Sequence, residues 1–130
     1  MRKLFRILFV CLFMFLGFVV NGQTFIVEDC QTFNTSSKEE QRLKKEALGA
    51  TVQLTFYKND VKVTIYKTNG RKETDIFSKV NDNLYRYMSS NTSGDYADLE
   101  LSRIIAYISS CRFSIYENGV LCAILDLKRD

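Results

Sequence analysis

Between Val52 and Lys67 the chain reads VQLTFYKNDVKVTIYK, with apolar and polar residues alternating at every second position. That period belongs to a strand with one covered and one wet face. A turn at Asn59-Asp60 predicts a hairpin pairing Phe56 with Val63 and Leu54 with Ile65 on one face, and Tyr57 with Lys62 and Thr55 with Thr64 on the other. Thr68-Asn69-Gly70 then leads into ETDIFSKV, and Asn81-Asp82-Asn83 into LYRYM. Turn signals therefore recur about every ten residues, the spacing of an antiparallel meander. The strongest of them is Asn118-Gly119 within CRFSIYENGVLCAILDLK, because both residues accept positive φ. A two-residue turn there pairs Tyr116 with Leu121 and Ile115 with Cys122, and sets Asp126 opposite Cys111.

Two stretches break this rhythm. In SSKEEQRLKKEALG, Ser36 or Ser37 serves as N-cap with Glu39 or Glu40 three residues on, and Gly49 ends the run, which predicts a helix over about residues 37–48. Its apolar set is only Leu43, Ala47 and Leu48, too thin for a helix gripped on all sides. It should lie on the surface and cover an edge or a mouth. Glu40 and Lys44 form a helpful pair one turn apart. The second break is SRIIAYIS, where Leu101, Ile104, Ile105 and Ile108 fit helical spacing although Leu99 and Leu101 alternate. A strand to about Leu101 followed by helical turns over 102–109 is the expectation.

The whole predicts a mainly β protein: a strand, a surface helix, then a meander of six or seven strands. It closes into a small barrel or a strongly curled sheet, with a cystatin-like α+β arrangement as the alternative. No proline interrupts any strand. In LTFYKNDVKVTIYK and FSIYENGVLCAILDLKR the chain resembles the small exported lipocalin-like barrels of bacterial envelopes, over about residues 50–128. The likeness is one of strand texture and implies an up-and-down barrel. The chain has no tryptophan, so it lacks the Gly-x-Trp signature of lipocalins and no ligand-binding residues carry over.

Charge and targeting alter the picture at the start of the chain. Arg2, Lys3 and Arg6 precede an uncharged apolar run from Ile7 to Val20, the pattern of a secretory signal peptide. A spanning helix needs roughly twenty residues. Cleavage is expected between Gly22 and Gln23, leaving residues 23–130 as one β-rich domain exported to the periplasm or beyond, with no membrane span. Loss of those three cations leaves 15 basic against 15 acidic residues. The field that marks a nucleic-acid binder is then missing. Cys30, Cys111 and Cys122 remain, and in an oxidising compartment a bridge from Cys30 to Cys111 or Cys122 is the expectation, with three small buried hydrophobes as the alternative.

Candidate chemistry is sparse. The chain has no histidine, which removes Ser-His-Asp and Cys-His catalysis and histidine zinc sites. Asp95, Asp98 and Glu100 could act as acid and base, but they sit where a Ser/Gly/Asp loop enters a strand, and such residues serve turns there. Tyr57, Tyr66, Tyr85, Tyr87 and Tyr116 could form a stacking surface, or simply an ordinary sheet face. Sequons begin at Asn34 and Asn91. No cofactor or metal is implied. With Val52, Leu54, Phe56, Val63, Ile65, Phe113 and Ile115 facing inward, a packed interior is expected, and with it a monomeric, non-enzymatic binding domain. Its partner would be an envelope or extracellular protein, the alternative a small apolar ligand. An inhibitor-like module or a histidine-independent enzyme stands as the second alternative.

Overall fold

A computed structural model describes residues 22–88 and 94–130. Residues 1–21 of the expected leader and the sequon at Asn91 lie outside the described residues, while Gly22 is the first residue of β1. The elements are β1 (Gly22–Thr32), helix α1 (Ser37–Ala47), β2 (Thr51–Phe56), β3 (Asp60–Tyr66), β4 (Lys72–Asn81), β5 (Leu84–Met88), β6 (Tyr96–Ile104), β7 (Tyr107–Glu117) and β8 (Val120–Arg129). Every strand pairs antiparallel with its neighbours in sequence, and β1 pairs with β8 to close an eight-stranded barrel. All eight strands and the buried cluster of the described residues lie within 22–130.

Alternation decides what fills the interior. Val52, Leu54, Val63 and Phe113 are buried, and Phe56, Ile65 and Ile115 pack against them, as the period-2 pattern requires. Closure lets Phe25, Phe77, Tyr85, Leu99, Ile108 and Leu127 join the same cluster. Phe77 meets Phe113 edge-on with ring centroids 5.6 Å apart.

The first half of β1 pairs with β2, from Gly22↔Thr55 to Ile26↔Thr51. Beyond a bulge between Val27 and Asp29 its second half runs with β8 alone, to Thr32↔Ala123. Helix α1 covers the opening this leaves. Ser36 caps it by accepting from the Glu39 amide at 3.3 Å. At its exit Gly49, at φ +81°, donates to the Val27 carbonyl at 3.0 Å, and Val27 donates to Ala50 at 3.0 Å. Across the mouth the Thr68 hydroxyl donates to the Lys45 carbonyl at 2.8 Å, satisfying one of the carbonyls a helix end leaves open. The helix is thus tied to β1 on one side and to the β3–β4 turn on the other. Only Leu43 and Ala47 pack against the core, which confirms the thin stripe.

Three expectations need correction. Residues 102–109 form no helix: β6 continues to Ile104, turns at Ile105-Ala106, and returns as β7 with Ile104↔Tyr107 paired. Cross-strand pairing with β7 outweighs a helical period carried by only four residues. The first hairpin turns at Lys58-Asn59, with the Tyr57 amide donating to the Asp60 carbonyl at 2.8 Å. Pairing therefore slides by two residues, to Phe56↔Val61 and Leu54↔Val63. A slide of two keeps every side chain on its expected face. In the last hairpin Tyr116↔Leu121 holds, but a bulge follows and brings Ile115 opposite Ala123 and Arg112 opposite Asp126.

Asn118 and Gly119 take the positive φ values, +51° and +75°, that their turn was expected to need. Gly94 is required for a different reason: a Cβ there would lie 2.7 Å from the Asn118 Cα. Ile105 is the outlier, a β-branched residue at φ +59°. Strain of this kind costs on the order of 1–3 kcal/mol. Replacing Ile105 by glycine, the residue favoured at such a turn position, should therefore stabilise the domain by about 1 kcal/mol, or roughly 4–8 °C in Tm. A thermal melt of residues 23–130 showing an unchanged or lower Tm would contradict this.

Candidate functional site

Below α1 lies a cavity of about 160 Å³ lined by Val27, Leu43, Ala47, Val52, Phe113 and Leu125, among others. Its origin is local. β2 begins only at Thr51 and the helix presents a small Ala47 where a strand would have supplied larger side chains, so the upper interior is incompletely filled. In the other half of the barrel Phe25, Leu54, Phe77 and Leu99 are buried. The expectation of a packed interior therefore fails beneath the helix.

Three charged groups stand at the mouth. Lys67 lies 2.8 Å from Glu73 and 3.9 Å from Glu46, and all three side chains line the cavity. Two carboxylates against one ammonium leave this rim net negative. Asp75 follows Glu73 on the same inward face, since it is paired with buried Val63. Burial pushes the Asp75 carboxyl above its ordinary value, and the neighbouring Glu73 charge adds to the effect. The site is thus an apolar pocket under an acidic rim. An arrangement of this kind has apolar walls suited to apolar matter and a rim whose charge would separate head groups.

The residues singled out from sequence are dispersed. Cys30, Cys111 and Cys122 are buried free thiols, and the expected bridge is absent. Register explains why. Cys30 faces Leu125 on β8 while Cys111 faces Leu127 from the strand beyond, so one strand separates them. Cys122 lies three positions from Leu125 along β8, roughly 10 Å at strand rise, too far for a bond to Cys30. Burial drives the Cys111 thiol up to about 12, with Arg129 and Arg103 pulling the other way. Burial likewise raises Cys30, opposed by Lys44. Such thiols are poor nucleophiles.

The acidic trio is also split. Asp98 is held by Arg86 through two bonds of 2.6 and 3.0 Å. Asp95 accepts from the Asn118 amide at 2.9 Å, tying the loop before β6 to the last turn. Glu100 faces Arg112 across the ladder. Among the described residues no group of three acidic, cysteine or histidine side chains is placed to hold a metal. The tyrosines divide as well: Tyr85 is in the core, Tyr87 packs on Phe77, and Tyr116 stacks on Tyr96 outside at 4.4 Å. Asn34 is exposed at φ +54°.

The sequence reading missed Glu46, Lys67 and Glu73. A signal was present for two of them. Glu46 falls one residue before Ala47 on the inward stripe of α1, and Glu73 and Asp75 alternate with Phe77 on the covered face of β4. Comparison with protein-family models, with curated proteins and with solved structures yields no match.

A raised carboxyl has a defined consequence for stability. The folded state holds the Asp75 proton more tightly than the unfolded chain, so stability is greatest below the ordinary value of 3.8 and falls as pH rises through the raised folded value. Asp75→Asn should therefore be more stable than the parent at pH 7 and should lose that part of the decline. Urea midpoints measured from pH 3 to 7 check it, and parallel profiles for the two proteins would contradict it.

Proposed function

We propose that this chain is an exported, non-enzymatic binding barrel of lipocalin-like architecture whose helix-capped cavity takes a small apolar ligand with a neutral or cationic head. The observation that carries the reading is the cavity of about 160 Å³ with apolar walls and Lys67 held between Glu46 and Glu73 at its mouth. A dry apolar cavity of about 150 Å³ accommodates a molecule the size of benzene. Lipid carriers need several hundred Å³, so the occupant is a short chain or a single ring. A carboxylate head would face Glu46 and Glu73, whereas an ammonium would share them with Lys67. Export rests on the basic and apolar leader ending near Gly22, with processing before Gln23. An envelope or extracellular protein partner is the second reading. It draws support from the size of the cavity, which at about 160 Å³ leaves little internal space for anything larger.

Titration of residues 23–130 with hexylamine and with hexanoate, followed by amide chemical shifts, separates the possibilities. Hexylamine should perturb Val52, Phe113 and Leu125 and bind at least about tenfold tighter than hexanoate. Ala47→Leu, which fills the cavity from the helix side, should abolish those shifts while the barrel stays folded. Equal binding of the two, or binding undisturbed by Ala47→Leu, would contradict the reading. Recovery of a stable protein partner from the periplasm, with no response to either compound, would favour the second one.

A further inference from the structure

The end of the barrel opposite α1 carries the most exposed apolar feature among the described residues. There β6 and β7 form a hairpin that outruns both neighbours: its last pair with β5 is Leu84↔Glu100, and its last with β8 is Ser110↔Lys128. Three further pairs, Ser102↔Ser110, Arg103↔Ile108 and Ile104↔Tyr107, lie at or beyond those points. The tip therefore projects by roughly 10 Å at strand rise. Ile104 is 65% exposed, Ile105 96% and Tyr107 53%. At the helix-capped end Phe33, Leu48, Tyr66, Met88 and Val120 are each partly covered and stand on separate segments, as scattered surface apolar residues commonly do. The β6–β7 tip gathers its apolar residues in one turn and holds Ile105 at φ +59° with no packing in return.

From this geometry we propose that the β6–β7 tip docks this end of the barrel onto a lipid bilayer, with Ile104 and Ile105 entering the interface and Tyr107 at head-group depth. Three observations favour lipid as the occupant. First, the apolar run Ile7–Val20 stops two residues before Gly22, and Gly22 begins β1 at this same end, paired with Thr55 beside the β2–β3 turn. Until cleavage after Gly22, that run in the membrane keeps this end within about 7 Å of the bilayer, so the tip meets lipid as the domain folds. Second, two guanidinium groups stand behind the tip. Arg103 donates to the Asn83 side chain at 2.8 Å and to the Asp82 carbonyl at 3.1 Å. Arg129 lies 4.3 Å from the centre of the Tyr107 ring and donates to Gln23 at 2.7 Å. An aromatic ring with arginines at one level, below an apolar point, matches the layering of a membrane interface. Third, the apolar area is narrow. A stable protein interface buries about 800 Å² on each partner, more than one turn can supply, while a bilayer admits a wedge of any width.

The docking is independent of what the cavity holds, and it is read without it. Because the chain has no tryptophan, Ile105→Trp in residues 23–130 gives a single reporter. Phosphatidylcholine vesicles with one-third phosphatidylglycerol should shift its emission to the blue and shield it from an aqueous quencher. Ile76→Trp, half-exposed on the outer wall of β4, should show neither effect. In flotation with the same vesicles Ile105→Gly, which keeps the turn, should bind roughly tenfold more weakly than the parent. An emission maximum unmoved at saturating lipid overturns the proposal, as does flotation undiminished by Ile105→Gly. A blue shift that arises without lipid and grows with protein concentration also overturns it, in favour of a second copy of the chain.

Discussion

The structure depends on β1 serving two neighbours. Its first half closes onto β2 and its second half onto β8, so a single strand of eleven residues seals the barrel. An eight-stranded meander left open would expose two edges. Pairing with β2 ends at Ile26 while pairing with β8 runs on past the bulge between Val27 and Asp29, and Val27 is also the residue that bonds to Gly49 and Ala50 at the exit of α1. Closure, the position of the helix and the unfilled space beneath it thus share one cause. Because β2 starts below the point where β1 ends, something other than a strand must cover the mouth. A helix with only Leu43 and Ala47 to offer covers it without filling it.

Much of this was legible in the residues, because strand period and turn chemistry are local. Asn118-Gly119 fixed its turn without help from the rest of the molecule, and the Ser36 cap and Gly49 bounded α1 closely. What eluded local reading depended on partners remote in the chain. The run from Ser102 to Ser109 carries a helical period, but Ile104 and Ile108 are placed by pairing within the β6–β7 hairpin. Disulfide geometry depends on the β1–β8 register, which no local pattern encodes. The cavity is least legible of all, being the absence of side chains where β2 falls short of the mouth.

Charge is used locally here. Basic and acidic residues balance from Gln23 onward, and ion pairs join neighbours in the wall or the helix: Arg86 with Asp98, Arg112 with Asp126, Glu40 with Lys44. Most are half-exposed and contribute little to stability individually. Lys67 differs in joining elements across the mouth, since it reaches Glu46 on α1 and Glu73 on β4. The two ends of the barrel are consequently unlike: one a charged rim over an apolar pocket, the other an apolar hairpin backed by arginine.

The central claim is that α1 roofs an empty apolar space instead of sealing a packed one. A crystal of residues 23–130 held under xenon pressure tests it directly, because xenon enters dry apolar cavities and scatters strongly. The account requires a xenon site between Leu43, Ala47, Val52 and Phe113. A crystal in which that space is filled by an inward shift of the helix, with no xenon beneath it, would contradict the account.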